Sequence, residues 1–297
     1  MTEGREREIY FATCAQYPNL TGDDWLTLAP LAARGIGVRP LVWDSEAARD
    51  LRGGTIVIRS CWDYHHRAEE FLAWIRALRA RGATFWNPPE VVAWNANKLY
   101  LRDLAARGVR VPETRWFPRG ATARLAEALR EAGWREAVVK PLISATAHRT
   151  WITSPDTAPD EEAAFADLLA GTGAMLQRFV PEVASAGEWS LIFFNGVFSH
   201  AALKRPKPGD FRVQEDHGGM SLPAEAPPRL IERAARILRL VEEPLLYARV
   251  DGIEANGEFH LMELELIEPL LFLALDPHAP ERFAEAILAG ALTAPPG

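Results

Sequence analysis

Short apolar runs alternate with stretches of helical periodicity over the first hundred residues. The predicted strands are residues 9–15, 38–43 and 55–60, and the predicted helices are residues 24–34 and 68–81. Continuous apolar strands that alternate with helices are typical of a parallel sheet covered on both faces. Ligands bind such sheets beyond the carboxyl ends of the strands, so residues 59–64, which follow the third strand, are candidates for substrate contact.

From residue 97 onward the pattern predicts a small mixed lobe followed by antiparallel strands. The predicted helices of the lobe are residues 97–108, 121–132 and 161–169, and its strands are residues 137–141, 149–153 and 174–180. Two apolar runs then flank Asn195-Gly196, a pair that favours a tight hairpin turn. The remaining predicted elements are a helix over 228–241, a second hairpin around Asn256-Gly257 and a terminal helix over 280–292.

Composition and charge exclude several classes of protein. The chain has 297 residues and a formal net charge of −7, and its basic residues are scattered, so nucleic-acid binding is not expected. Cys14 and Cys61 are its only cysteines, which is typical of a reducing environment and not of a disulfide framework. The charged N-terminus does not resemble a signal peptide, and no run approaches the roughly 20 apolar residues of a membrane span. We therefore expect a cytoplasmic protein that does not bind membranes.

Three carboxylates and an arginine lie on the two strands of the second hairpin. Arg249 and Asp251 precede the turn, and Glu263 and Glu265 follow it. Carboxylates this dense among Leu, Val and Ile repel one another and lose hydration, unless divalent cations lie between them. Oxygen ligands suit Mg²⁺ or Mn²⁺, which commonly bridge protein carboxylates to nucleotide phosphates. The pattern indicates a metal and nucleotide site.

The hairpin also sets a geometric condition for this metal site. A regular two-residue turn at Asn256-Gly257 would place Glu263 opposite Val250, on the face away from Asp251. We therefore predict a bulge near residues 254–258 that returns the carboxylates to one face.

Two isolated lysines point to an anion. Lys98 lies at the start of the predicted helix 97–108, and Lys140 ends an apolar strand just before the small-residue loop 144–150. The hydroxyls of Ser144 and Thr146, with the backbone N–H groups of this loop, could cradle phosphate. Either lysine alone would more often extend into solvent, but the downstream carboxylates favour phosphate binding.

A strand further along the chain is a candidate for nucleotide-base contact. Gln177 and the backbone near Arg178 and Val180 could pair with adenine, and Glu188 could bind ribose hydroxyls. A buried apolar strand followed by a solvated glutamate would look the same.

In this order along the chain, these residues resemble the ATP-grasp carboxylate–amine ligases. The similarity is to the branch of glutathione synthetases and RimK-like ligases, and above all to the ligases that form D-cycloserine. The stretches that point to the last group are residues 59–64, 94–100, 187–190 and 211–214. The resemblance implies an α/β ATP-grasp fold in three parts: a parallel-sheet, substrate-binding domain (1–96), a small central lobe (97–180) and a C-terminal antiparallel lobe with the metal site (181–297).

The resemblance also implies roles for individual residues. Lys98 and Lys140 would hold the phosphates of ATP. Gln177 and the backbone near Arg178 and Val180 would contact adenine, and Glu188 would bind ribose. Lys204 and Arg212 would stabilise the transferred phosphoryl group, and Arg249 would contact the acyl phosphate. Asp251, Glu263 and Glu265 would bind two Mg²⁺ ions, and Gly218 and Gly219 resemble an anion-binding loop. The chain departs from the family pattern at Glu265, where many members have Asn, and in loop 144–150, which lacks glycine.

Candidate substrate residues lie mainly in the N-terminal part. Arg59, Asp63 and Tyr64 could recognise a charged amino acid, whereas Asp24 could equally cap a helix or bind an amino group. Glu268 could support the metals or recognise a substrate amine. His65 and His66 have no third ligand at suitable spacing and are interpreted as loop residues.

The function implied is activation of a small amino-acid-type carboxylate as an acyl phosphate, followed by amide formation. The reaction could close a ring, as in D-cycloserine formation, or join two molecules, as in dipeptide or glutathione-like synthesis. Other readings are a phosphotransferase that stops at a phosphorylated product and a non-catalytic nucleotide-binding protein. The acyl phosphate hydrolyses in water, so the loop 205–219 is predicted to be a lid. A homodimer is left open.

Overall fold

The chain is described here by a computed structural model that covers residues 7–207, 212–213 and 218–293. Residues 208–211 and 214–217 of the predicted lid, and part of the stretch 211–214, lie outside the described residues. The N-terminal sheet is parallel, with strand order β2-β1-β3-β4. Its strands are β1 (Arg7–Thr13), β2 (Ile36–Val42), β3 (Thr55–Ser60) and β4 (Thr84–Trp86). The predicted parallel sheet is therefore confirmed, and β4 is an additional strand.

The helices of this part are α1 (Gly22–Trp25), α2 (Leu28–Ala32), α3 (Glu46–Asp50), α4 (Ala68–Ala80) and α5 (Pro89–Asn95). The single helix predicted over 24–34 is wrong, because the segment forms the two short helices α1 and α2. Thr21 is the N-cap of α1, and Asp24 lies in its first turn, where it completes a capping box. Asp24 is thus not the cap itself.

The second sheet is antiparallel, with order β5-β8-β6-β7. Its strands are β5 (Thr114–Phe117), β6 (Ala137–Pro141), β7 (Trp151–Thr153) and β8 (Ala174–Arg178), and its helices are α6 (Leu99–Ala106), α7 (Leu125–Ala132), α8 (Ala158–Gly171) and α9 (Glu182–Ser185). The side chains of β6 alternate between the two faces of the sheet. Val139 packs in the core with α7 and α8, whereas Val138 and Lys140 face the opposite side.

The third sheet is antiparallel, with order β11-β10-β9-β12-β13. Its strands are β9 (Glu188–Phe194), β10 (Val197–Arg205), β11 (Met220–Pro223), β12 (Tyr247–Ala255) and β13 (Glu258–Glu265). Helix α10 (Pro228–Leu238) lies between β11 and β12 along the chain, and α11 (Ala279–Thr293) follows β13. Asn195-Gly196 forms the predicted two-residue turn, with Phe194 paired to Val197. The three sheets occupy consecutive parts of the chain, while the exact domain boundaries stay a prediction.

The first and third sheets share a buried interface. Phe11 and Val57 of the N-terminal sheet pack with Tyr247 of β12 and Phe283 of α11 in one apolar cluster. The Tyr247 hydroxyl donates to the Ile58 carbonyl at 2.6 Å. This interface fixes the carboxylate-bearing hairpin against the N-terminal sheet.

Two buried asparagines add polar contacts to the same interface. Asn87 Nδ2 donates to the carbonyls of Tyr247 (2.9 Å) and Leu266 (2.8 Å). Asn95 Nδ2 donates to the Leu264 carbonyl at 2.8 Å, and its Oδ1 accepts from Leu266 N–H at 2.9 Å. Each amide satisfies backbone groups that would otherwise be buried without partners, which fixes the end of β13 in position.

Among the described residues, no helix has the length and apolar character that crossing a bilayer requires.

Candidate active site

A cavity of about 410 Å³ lies where the three sheets meet. Most of the residues singled out from the sequence line it. They are Tyr64, Lys98, Lys140, Ser144, Thr146, Gln177, Arg178, Val180, Glu188, Lys204, Arg212, Arg249, Asp251, Glu263, Glu265 and Glu268. The volume is in the range of small-molecule sites, about 300–1,000 Å³.

The carboxylates of the hairpin share one face, but the bulge that brings them together is not where the sequence predicted it. The turn at Asn256-Gly257 is a regular two-residue turn, with Ala255 paired to Glu258. The register shifts between Asp251 and Gly252, where Met262 is the additional residue, so that Asp251 is paired with Glu263.

Glycine at position 252 allows this bulge. A Cβ atom there would lie 2.2 Å from the Phe259 ring and 2.7 Å from the His260 carbonyl oxygen. Only a residue without a side chain lets the two strands approach this closely at the shift.

Asp251 is surrounded by cationic and hydroxyl donors. Its carboxylate accepts from Lys204 Nζ at 2.8 Å, from Ser190 Oγ at 2.7 Å and from the Arg249 guanidinium at 2.9–3.2 Å. Burial would raise the pKa of Asp251, but the charges of Arg249 and Lys204 hold it far below its usual range. Lys204 also pairs with Glu188 at 2.6 Å. The four charged side chains, two acidic and two basic, form one network with Ser190.

Glu263 and Glu265 are less enclosed, with side chains 33% and 26% exposed. Lys98 Nζ lies 2.5 Å from Glu263 Oε1, and Arg249 pairs with Glu265. Burial raises the pKa of Glu265 to about 7, and the charges of Glu263 and Asp251 act in the same direction against Arg249. Burial acts to raise the pKa of Glu263, but the charge and hydrogen bond of Lys98 and the charge of Lys140 together lower it.

These donors fit a divalent cation that is shared with a phosphate ligand. In the described part of the chain, no three His, Cys, Asp or Glu side chains are grouped closely enough to hold a metal by themselves. Mg²⁺, however, is usually held by one or two carboxylates together with substrate phosphates and water. Glu263 and Glu265 provide such a pair on one face of β13, whereas both oxygens of Asp251 already accept cationic donors.

Lys140 is a cation without an acidic partner among the described residues. Its ammonium donates to Gln177 Oε1 at 2.9 Å, and burial lowers its pKa. An anion in the cavity would supply the missing countercharge. Gln177, for which adenine contact was predicted, is thus engaged by Lys140 and, through Nε2, by Thr114 Oγ1 at 3.4 Å.

The loop 144–150 borders the same end of the cavity. Thr146, Ala147 and Arg149 adopt φ values of 50°, 55° and 53°, the left-handed region that favours glycine. The loop therefore takes a glycine-like path without glycine, at a cost of roughly 1–3 kcal/mol per strained residue. Lys98 Nζ donates to the Ser144 carbonyl at 3.2 Å and ties the loop to the carboxylate strand.

Several predicted substrate residues lie elsewhere. Asp24, Arg59, Asp63, Gly218 and Gly219 are not among the described residues that line the cavity. Arg59 Nε donates to Asp24 Oδ1 at 2.9 Å, and Asp63 accepts from the Trp43 indole at 2.8 Å. Asp24, Arg59 and Asp63 therefore form hydrogen bonds with other residues of the N-terminal part.

Tyr17, which was not predicted, and Trp62 line the cavity from the N-terminal sheet. They follow β1 and β3, at the carboxyl-end edge where ligands of parallel sheets bind. Applying that rule to every apolar residue just beyond these strands would have found both. Trp62 was already inside the candidate stretch 59–64.

Comparison with known proteins identifies the family. The family described as "D-cycloserine synthetase DcsG, N-terminal domain" matches residues 9–87. The chain is 32% identical over 273 residues to the cycloserine biosynthesis protein DcsG of Streptomyces lavendulae, covering 86% of this chain and 90% of that protein.

Solved structures agree. The crystal structure of D-cycloserine synthetase DcsG matches with a TM-score of 0.82 and 29% identity, over 96% of this chain and all of that one. D-alanine–D-alanine ligase from Bacillus anthracis, complexed with ATP, shares the fold, with a TM-score of 0.67 and 14% identity over 96% of this chain and 97% of that one. The predicted fold class and ligase activity are thereby confirmed. The chain belongs to the D-cycloserine synthetase DcsG family of ATP-grasp ligases.

Proposed function

We propose that this ligase activates a small amino-acid-type carboxylate as an acyl phosphate and converts it to an amide, including the ring closure of D-cycloserine formation. The observation that carries the proposal is the pairing of Asp251 with Glu263 and of Arg249 with Glu265 on one cavity-lining face. Lys98 and Lys140 line the same cavity. The identity to a cycloserine biosynthesis protein supports ring closure as the first reaction to test.

The charged residues suit the binding of ATP. Lys140 lacks an acidic partner in the described structure and would bind a phosphate, with Lys98 and the hydroxyls of Ser144 and Thr146 beside it. Arg178, Val180 and Glu188 line the cavity beyond Lys140 and would contact the nucleoside. Glu263 and Glu265, with Asp251, would hold two Mg²⁺ ions, which would neutralise charge on the phosphates.

The chemistry requires positioning and charge neutralisation. The substrate carboxylate attacks the terminal phosphorus of ATP, the bond to ADP breaks, and an acyl phosphate forms. An amine then attacks the acyl carbon, loses a proton and expels phosphate, which leaves an amide. Arg249, Lys204 and Arg212 line the site and would stabilise the phosphoryl group during both steps.

The test is a screen for release of ADP from Mg·ATP across amino acids, alone and in pairs with amines. Products are identified by mass spectrometry. An amide with ADP and phosphate is expected; a product with the mass of one amino acid less one water indicates ring closure, and a product with the mass of two joined molecules indicates dipeptide synthesis. A stable phosphorylated product would replace the ligase proposal with a phosphotransferase.

Glu263→Gln gives the matching variant test. The substitution removes one negative charge facing the cavity, and we expect kcat/KM to fall about 10²–10³-fold, as for loss of one preorganised electrostatic group. Full activity in this variant, with unchanged Mg²⁺ dependence, would contradict the metal assignment.

A further inference from the structure

The carboxylate of Glu268 lines the cavity without a protein partner. Among the described residues, none donates a hydrogen bond to its side chain and none forms an ion pair with it. Only its backbone is held, because the Trp62 indole donates to the Glu268 carbonyl at 2.9 Å. An unpaired carboxylate removed from water is costly, and such a group is retained where a ligand completes it.

Nearby cations are already used by other carboxylates. Lys98 pairs with Glu263, and Arg249 pairs with Asp251 and Glu265. Burial, followed by the charge of Glu265, raises the pKa of Glu268 well above its usual value. A cationic group of a bound molecule would supply the countercharge that Lys98 and Arg249 give to other carboxylates.

Aromatic side chains surround this end of the cavity. The rings of Tyr17 and Trp62 meet edge to face, with centroids 5.1 Å apart, and both line the cavity. Aromatic faces attract cations, most strongly where water is excluded. A carboxylate beside such rings suits an ammonium group and disfavours an anion.

We propose that Glu268, together with Tyr17 and Trp62, binds the protonated amino group of an amino acid whose carboxylate is activated beside Glu263 and Glu265. The inference rests on the proposed function. Glu268 lies three residues after Glu265, so at most about 10 Å of extended chain separates their Cα atoms. This spacing fits a free amino acid with its amine and carboxylate close together.

Asp24, the acid that the sequence suggested for an amino group, cannot take this role in the described structure. It is paired with Arg59, and their side chains are 1% and 2% exposed. Glu268 therefore replaces Asp24 as the candidate for amine recognition.

The test is a binding cycle that changes both partners. The probes are β-aminoxy-D-alanine, the amino acid obtained by opening the amide of D-cycloserine, and 3-aminoxypropanoate, which lacks the α-amino group. Calorimetry measures Kd for each with wild type and Glu268→Gln, in Mg²⁺ and a non-hydrolysable ATP analogue. We expect Glu268→Gln to raise the Kd of β-aminoxy-D-alanine about 30-fold or more, as for loss of one partner of a charge pair. The same substitution should leave the Kd values of 3-aminoxypropanoate and of the nucleotide unchanged.

Glu243→Gln is the matched control, because it removes the same charge from an exposed loop residue. Thermal unfolding checks that the variants are folded. Equal weakening of both probes, unchanged binding of β-aminoxy-D-alanine by the variant, or no binding of it by the wild type would each overturn the proposal. Because binding is measured without turnover, absence of any ADP release would refute the proposed function and leave this cycle informative.

Discussion

Two charge clusters, one buried and one at the cavity wall, lie close to the junction of the first and third sheets, and they differ in whether each charge has a protein partner. In the first, Arg59 and Asp24 pair with each other, and Asp24 also accepts from the Thr21 hydroxyl at 2.8 Å. In the second, which lines the cavity, Lys140 and Glu268 have no oppositely charged protein partner among the described residues. Charged side chains are fully removed from water in the first cluster and partly removed from it in the second. The missing partner at a cavity wall distinguishes a candidate binding group from a structural one.

Breaking the buried ion pair of Arg59 and Asp24 should give the largest change in stability. We expect Arg59→Met to lower the free energy of unfolding by about 3–5 kcal/mol, because it leaves the Asp24 carboxylate buried and unpaired. Urea unfolding measures the effect, and KM for the amino acid should stay near the wild-type value.

The double variant Asp24→Asn, Arg59→Met sharpens this test. Removing both charges should recover part of the lost stability, since neither charge is then left alone. A variant Arg59→Met that keeps its stability but binds substrate poorly would move Arg59 into the substrate site.

Removing Lys140, which has no acidic partner among the described residues, should have a smaller effect, and on ligand affinity instead of stability. We expect Lys140→Met to weaken Mg·ATP binding by about 1.5–3 kcal/mol, the usual value of a hydrogen bond to a charged group. Thermal stability without ligand should not fall, because burial already disfavours the charged lysine. Calorimetric titration with Mg·ATP measures the affinity. Unchanged affinity would mean that Lys140 serves only to hold Gln177.

The smallest expected effect is a pH dependence at Glu265. Its pKa is raised to about 7 in the folded protein, so its protonated form favours folding. The stabilising contribution is complete below its ordinary pKa of 4.5 and is lost as the pH rises to about 7. Relative to Glu265→Gln, the ligand-free wild type should lose Tm over this interval, by roughly 2–4 °C per kcal/mol.

Addition of Mg·ATP should remove the difference, because a bound cation favours the ionised carboxylate. Melting curves between pH 5 and pH 8 measure both effects. If the wild type instead lost Tm relative to Glu265→Gln as the pH falls, the pKa of Glu265 would not be raised in the folded protein.

Local pattern predicted most of the elements, because amphipathic helices such as α4 and apolar strands such as β3 are determined by nearby residues. Long-range contacts were less predictable. The need for a bulge followed from the spacing of Asp251 and Glu263, but its position depends on how closely Gly252 approaches Phe259 across the hairpin. The local signal for that position was Gly252, an isolated glycine within a strand pattern.

The candidate site shows the same division. Lysines and carboxylates stood out because charges are rare in apolar strands. That Arg59 is neutralised by Asp24, 35 positions away, depends on the folded arrangement. The role of Tyr17 and Trp62 in the cavity wall likewise arises only when β1 and β3 are neighbours.

The hydrogen bonds of Asn87 and Asn95 to Leu264 and Leu266 have a consequence for substrate choice. They hold in place the backbone segment that separates Glu265 from Glu268. If these carboxylates serve the two ends of one amino acid, the permitted length of that amino acid is set by this fixed segment and not by closure of a lid. Homologous substrates longer by one methylene group would then be discriminated by a rigid distance. Changes in residues 205–219, the predicted lid, are then expected to leave that length preference intact.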